Sequence, residues 1–184
     1  MSLDGPWGIA ELGNTGGGRR VIRLPELDTV PVTDAVATVI DHPHVQRLRR
    51  VRQLGPICLV YPGATHTRFE HVLGVYGTVI RYLRALLQLE RIRLSLSEED
   101  VRTVLMAGLL HDIGHYPFAH TLEALHRRGR DTPRHEDVGR EIIFGRAPGL
   151  DPCRHTLASL LRREVRVEPE RVVRLMTARR DALE

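Results

Sequence analysis

Between Thr67 and Glu90 the apolar residues Val72, Val75, Val79, Leu83, Leu86 and Leu87 recur at helical spacing, and this stripe constrains the fold more than any other feature of the chain. A period near 3.6 gathers side chains on one face of a helix but scatters them over both faces of a strand. The stripe predicts one long amphipathic helix that must bury its face against others. Further helical signals flank it. Thr33 or Asp34 can cap a helix carrying Val36, Val39 and Ile40, and Pro43 suits the first position of a second with Val45, Leu48 and Val51. Ser97 followed by Glu98, Glu99 and Asp100 reads as a helix start, leading into Val101, Val104, Leu105 and Leu109 until Gly114 and Pro117 break the pattern. Shorter helices are predicted at about 118–128, 133–144, 152–163 and 169–180, with Thr132-Pro133 and Asp151-Pro152 as starts. Strand signals are confined to Val21–Leu24 and Ile57–Tyr61. The expected fold is an all-α helical bundle with at most a minor β-hairpin. Aromatics make up only 4% of the 184 residues, so aliphatic side chains must build the core.

Composition removes several chemistries. All 27 basic side chains are arginine, so neither a P-loop nor a Schiff-base enzyme can be built. Cys58 and Cys153 are the only cysteines, which excludes four-cysteine zinc sites and cysteine-ligated iron–sulfur clusters. No apolar run approaches the roughly 20 residues of a membrane span. With no export signal and no disulfide framework, the expected location is cytoplasmic, without a membrane partner. The formal charge is +4, and 23 acidic residues offset most of the arginine. Nucleic acid is therefore a weakly supported partner. The densest basic cluster, Arg47, Arg49, Arg50 and Arg52, reads as a solvated helix face.

Chemistry gathers in the middle of the chain. Seven of ten histidines (66, 71, 111, 115, 120, 126 and 135) fall within 70 residues. The apolar run Val104–Leu110 leads straight into His111-Asp112. An imidazole and a carboxylate at the end of a core helix suit a divalent cation, and equally suit an exposed helix C-terminus where the dipole favours histidine. Arg68 lies three residues before His71, hence on the same helical face. There it could meet a phosphate that a metal at His71 polarises. His115, His120 with Glu123, and His135 with Glu136 and Asp137 are imidazoles with carboxylates nearby, the arrangement that acid–base work requires.

Five blocks carry a resemblance: residues 46–55 (Gln46 to Gly55), 61–71 (Tyr61 to His71), 107–115 (Ala107 to His115), Pro117-Phe118-Ala119-His120, and His135-Glu136. Together they resemble the HD-domain metal-dependent phosphohydrolases, and most closely the deoxynucleoside triphosphate triphosphohydrolase branch, which includes dGTPase-like enzymes and proteins with a SAM domain before the HD domain. The resemblance implies an HD helical bundle over residues 31–184, preceded by a loose segment, 1–30, with a short strand. It implies His71, His111 and Asp112 as ligands of a divalent cation (Mn, Fe, Zn, Ni or Mg). It further implies Arg68 and His115 at the phosphates, Gln53 and Leu54 against the sugar, and His120, Glu123 and His135 in acid–base work. The implied reaction converts a dNTP to deoxynucleoside and inorganic triphosphate, in a protein that can form homo-oligomers. The family's further aspartate ligand lacks its usual context here. Asp131, Asp137, Asp151 and Asp181 are the aspartates that follow Asp112. The expectation is an HD domain cut short at its C-terminal end. The alternatives are a nucleotidase or phosphodiesterase on the same fold, or a non-catalytic nucleotide- or nucleic-acid-binding module.

Overall fold

A computed structural model describes residues 9–13, 20–25, 28–118, 134–150 and 153–177. The expected helices at 118–128, the Thr132-Pro133 and Asp151-Pro152 starts, and His120, Glu123, His126, Asp131, Asp151 and Asp181 lie outside the described residues.

Two strands, β1 (Arg20–Leu24) and β2 (Asp28–Val32), pair antiparallel with Arg20 opposite Val32. β2 lies outside the two strand signals of the sequence; it carries Pro31, and in a two-stranded ribbon a strand can spare one N–H. Val30 and Val32 are buried, and β2 packs against the long helix. The rest is helical: α1 (Asp34–Ile40), α2 (Pro43–Gln46), α3 (Arg68–Leu86), α4 (Glu90–Ser95), α5 (Glu98–Leu110), α6 (His135–Ile143), α7 (Leu157–Leu160, running into a π turn over Leu161–Val165) and α8 (Pro169–Thr177). The all-α expectation holds. Among the described residues no helix is long and apolar enough to cross a membrane.

Capping fixes the helices that matter for the site. The Thr67 hydroxyl accepts from the Glu70 N–H at the start of α3, and the Glu70 carboxylate accepts from Thr67 N–H at 2.6 Å; Ser97 and Asp100 repeat this reciprocal box on α5. The buried face of α3 is Phe69, Val72, Leu73, Tyr76, Ile80 and Leu83, so the stripe is rotated from the predicted one and Leu86 is exposed. α3 ends at Leu86 and α4 begins separately at Glu90, where one helix to Glu90 was expected. α5 packs along α3 at Gly108: a Cβ there would lie 2.9 Å from a Val79 methyl, so the missing side chain sets how close the two helices come. α8 closes the other side of α5, with Arg171 bonded to Glu99 at 3.0 Å and to Asp100.

Two expectations fail. Ile57–Tyr61 is not a strand. Gly55–Leu59 forms a 3-10 turn with Pro56 in its first positions, and Leu59, Val60 and Tyr61 stand exposed. β-branched residues make a strand only where another strand offers its edge. The helix expected from residue 152 starts at Leu157, where the Thr156 hydroxyl accepts from Ser159 N–H.

Candidate metal centre

His71 sits in the first turn of α3, and His111 is the C-terminal cap of α5. The packing of α3 on α5 brings these two ends together. The His111 Nδ1 lies 3.0 Å from the Gly108 carbonyl, an acceptor, so Nδ1 carries a proton and Nε2 is the nitrogen turned toward the cluster. That Nε2 is 3.3 Å from His71 Nε2 and 3.3 Å from Asp112 Oδ1, while His71 Nε2 is 3.7 Å from Asp112 Oδ2. Ligands bonded at about 2.0–2.2 Å to one ion stand roughly 3–3.5 Å apart. Two imidazole nitrogens and a carboxylate at this spacing form a donor set that fits a divalent cation of the Mn, Fe, Zn, Ni or Mg class. The Nδ1–H bond to Gly108 orients His111 in the way second-layer contacts orient metal-bound histidines.

The electrostatics favour ligation. Burial pushes the His71 pKa below its ordinary value and outweighs the opposing pull of Asp112, so its ring is neutral at pH 7. Burial pushes the Asp112 carboxyl up, but His111, His115, Arg68 and His71 together outweigh it and hold the carboxyl low. Arg68 is only 3% exposed and its Nη1 meets Asp112 Oδ2 at 2.6 Å. The sequence places Arg68 beside His71; the structure adds that it is first of all the counterion of Asp112.

A second group adjoins the first through the same carboxylate. Asp112, His115 and His135 also bring their donor atoms within metal-ligand reach of one another. His115 Nδ1 is 3.4 Å from Asp112 Oδ1, and the His115 and His135 rings lie 3.9 Å apart, with His135 Nδ1 3.5 Å from Glu136. Gly114 makes this possible. A Cβ on it would lie 1.9 Å from the His135 carbonyl oxygen and 2.3 Å from the Gly139 nitrogen, so only glycine lets α6 come down on the turn. The structure does not bring Gln53 or Leu54 into hydrogen-bond contact with this cluster. Gln53 N–H bonds to the His66 carbonyl, its buried side-chain oxygen has no partner among the described residues, and Leu54 is exposed.

Sequence reasoning missed Arg47. It was assigned to a solvated face, yet its guanidinium donates to the carbonyls of His115 at 2.9 Å and Ile113 at 2.7 Å, clamping the turn that follows Asp112. Its neighbour Arg49 lies over the Phe69 ring at 3.7 Å. Nothing local to residues 46–55 signals either contact.

Comparison with known proteins agrees with this geometry. Residues 68–178 match the family described as HD domain. Deoxynucleoside triphosphate triphosphohydrolase SAMHD1 of Bos taurus is 47% identical over 104 residues, covering 56% of this chain and 18% of that protein. The human protein of the same name is 42% identical over 104 residues, covering 56% and 16%. The putative HD domain-containing protein L394 of Acanthamoeba polyphaga mimivirus is 33% identical over 121 residues, covering 59% and 26%. The matched stretch is thus about a quarter or less of each relative's length. A match over residues 68–178, spanning both helices that carry His71, His111 and Asp112, places the chain in the HD domain family.

Proposed function

We propose that this chain is a metal-dependent phosphohydrolase of nucleotides that converts a dNTP to deoxynucleoside and inorganic triphosphate. The observation that carries the reading is the His71–His111–Asp112 donor set, on a chain whose relatives are named for that activity. His71, His111 and Asp112 hold the divalent cation. When bound, the cation supplies Lewis acidity at a phosphoryl oxygen and lowers the pKa of a neighbouring water.

The protein's own groups do the rest. Arg68 keeps Asp112 ionised, and its guanidinium N–H groups beyond the one on Asp112 are donors for a phosphate oxygen. His115, buried between Asp112 and His135, positions the α-phosphate. The water oxygen bonds to the α-phosphorus, the bond from phosphorus to the 5′ oxygen breaks, and that oxygen takes up a proton. His135, oriented by Glu136, and the His120–Glu123 pair are the groups assigned to that proton transfer. Gln53, with its buried side-chain acceptor, and Leu54 are assigned to the sugar, where a ribose 2′-hydroxyl would be disfavoured.

Phosphorus NMR of the products tests this. Metal-loaded protein should release inorganic triphosphate from dNTPs, and His111→Ala should not. Release of monophosphate alone would point to a nucleotidase. No turnover of any nucleotide with Mn, Fe, Zn, Ni or Mg would refute catalysis.

A further inference from the structure

The core takes up only one of two apolar faces on α3. Phe69, Val72, Tyr76, Ile80 and Leu83 are buried in it. To one side of them Val75 and Val79 are half-buried, and Tyr82 and Leu86 stand 67% and 41% exposed. Spaced by four, three and four residues, these form a second stripe along the helix.

α5 doubles that stripe. A Cβ on Gly108 would lie 2.9 Å from a Val79 methyl and 3.8 Å from one of Val75, so this face of α5 borders the stripe. Val104, one turn before Gly108 on the same face, is 37% exposed. The helices run antiparallel, since His71 in the first turn of α3 meets His111 at the end of α5. Their stripes flank one apolar seam, and the metal centre stands one turn beyond its end.

An uncharged seam gives a phosphate backbone nothing to hold, and what fits it is another apolar helix face. A pair of antiparallel helices is its own complement. Turned about a two-fold axis and laid on a copy of itself, it closes a four-helix bundle. The area is sufficient. α3 and α5 have 19 and 13 residues, about 28 and about 20 Å, and side by side they are about 20 Å wide, which makes a face of about 500 Å². Two copies together bury about 1,000 Å², the lower end of specific interfaces, so the association is reversible.

We propose that the α3–α5 seam is the docking surface for a second copy of this chain, in a two-fold dimer centred on Val79, Tyr82 and Val104. Tyr82 is the anchor, since an aromatic ring brings the largest apolar area to such a contact. The dimer stands apart from the hydrolase reading, because no seam residue has a part in the proposed reaction.

Sedimentation equilibrium of the full chain should show monomer and dimer in exchange, with a Kd of about 1–100 µM. A carboxylate placed in the seam appears on both copies. Tyr82→Glu and Val104→Glu should therefore each weaken association by about 100-fold or more. Both positions are exposed in the single chain, so the circular dichroism spectrum should not change. Leu59→Glu, in the exposed turn over Gly55–Leu59, should dimerise as wild type does. A monomer at about 1 mM, growth beyond a dimer, indifference to both seam variants, or a dimer lost in Leu59→Glu overturns the proposal. A second measurement needs no variant. Hydroxyl-radical oxidation of Tyr82 should slow severalfold as the wild-type chain is concentrated through the Kd, while Tyr61, also 67% exposed, reacts at an unchanged rate. Protection of Tyr61 in place of Tyr82 overturns it.

Discussion

Replacing Gly114 with alanine tests whether the turn after Asp112 is what seats α6 on the site. The added Cβ falls 1.9 Å from the His135 carbonyl oxygen, 2.3 Å from the Gly139 nitrogen and 2.8 Å from the Gly139 Cα. All three are backbone atoms, so no side chain can swing away. Comfortable contact begins at about 3.5 Å, so α6 must retreat by more than about 1 Å. Overpacking typically costs about 1–3 kcal/mol, and a backbone clash belongs at the upper end. For a chain of this size, 3 kcal/mol corresponds to a fall in Tm of about 6–12 °C. Melting followed by far-ultraviolet circular dichroism measures this. The control is Gly63→Ala, whose Cβ meets nothing within 4 Å and which should stay within about 0.5 kcal/mol of wild type. The retreat also draws His135 off His115, whose rings now stand 3.9 Å apart. On the proposed function His135 takes part in proton transfer; misplacing such a group by about 1 Å can cost about 100-fold in rate, so any dNTP turnover should fall by that order. If Gly114→Ala melts with Gly63→Ala and turns over normally, α6 is not positioned by this contact and the argument is wrong.

Removing the cation should destabilise the protein. Mn²⁺ at a hundred times its Kd adds about 2.7 kcal/mol of stability, which a chelator reverses and His111→Ala abolishes, as read by Tm shifts. Arg47→Met takes charge-assisted hydrogen bonds from two carbonyls, of Ile113 and His115, each worth about 1.5–3 kcal/mol. Because the substitution also removes a desolvated charge, urea denaturation should show a net loss of about 2–4 kcal/mol. At the start of α5 the Ser97 hydroxyl and backbone N–H, with Arg171, hold the Asp100 carboxyl at about 2, below its usual 3.8. A lowered carboxylate pKa adds stability that is complete above the unfolded value and fades as pH falls through the folded one. Asp100→Ala should therefore cost about 1 kcal/mol at neutral pH. In urea melts the gap to wild type should close between about pH 4 and pH 2.

What the sequence disclosed was whatever depends on residues near one another along the chain. Thr67 and Ser97 announce their helices because an N-cap is satisfied within three residues. His71 and Arg68 share a face because both lie on one turn of α3, and His111-Asp112 ends α5 as the apolar run suggested. What stayed hidden depends on partners far away. Ile57–Tyr61 has the composition of a strand, but whether a partner edge exists is a property of the whole fold. The register of α3 turned because Phe69, Tyr76 and Ile80 found the core, and no stripe of valines alone could decide that. The ion pair of Arg68 with Asp112 spans 44 residues, and its cause is the packing of α3 on α5.

Arg47 shows why the absence of lysine matters to the site rather than to surface charge alone. Its Nη1 and Nη2 reach two carbonyls that flank Gly114, so one rigid planar group holds the turn that follows Asp112 on both sides of that glycine. An ammonium is a compact, strongly hydrated point charge with no such fork, and it resists burial more than a guanidinium does. Arg68 makes the same case at Asp112, where it is buried, paired and still holds donors beyond the carboxylate. The HD turn is thus held from one side by a guanidinium on its carbonyls and from the other by a guanidinium on its carboxylate. Gly114 admits α6 between them. Those three residues hold the turn on which Asp112 and His115 meet His135 of α6.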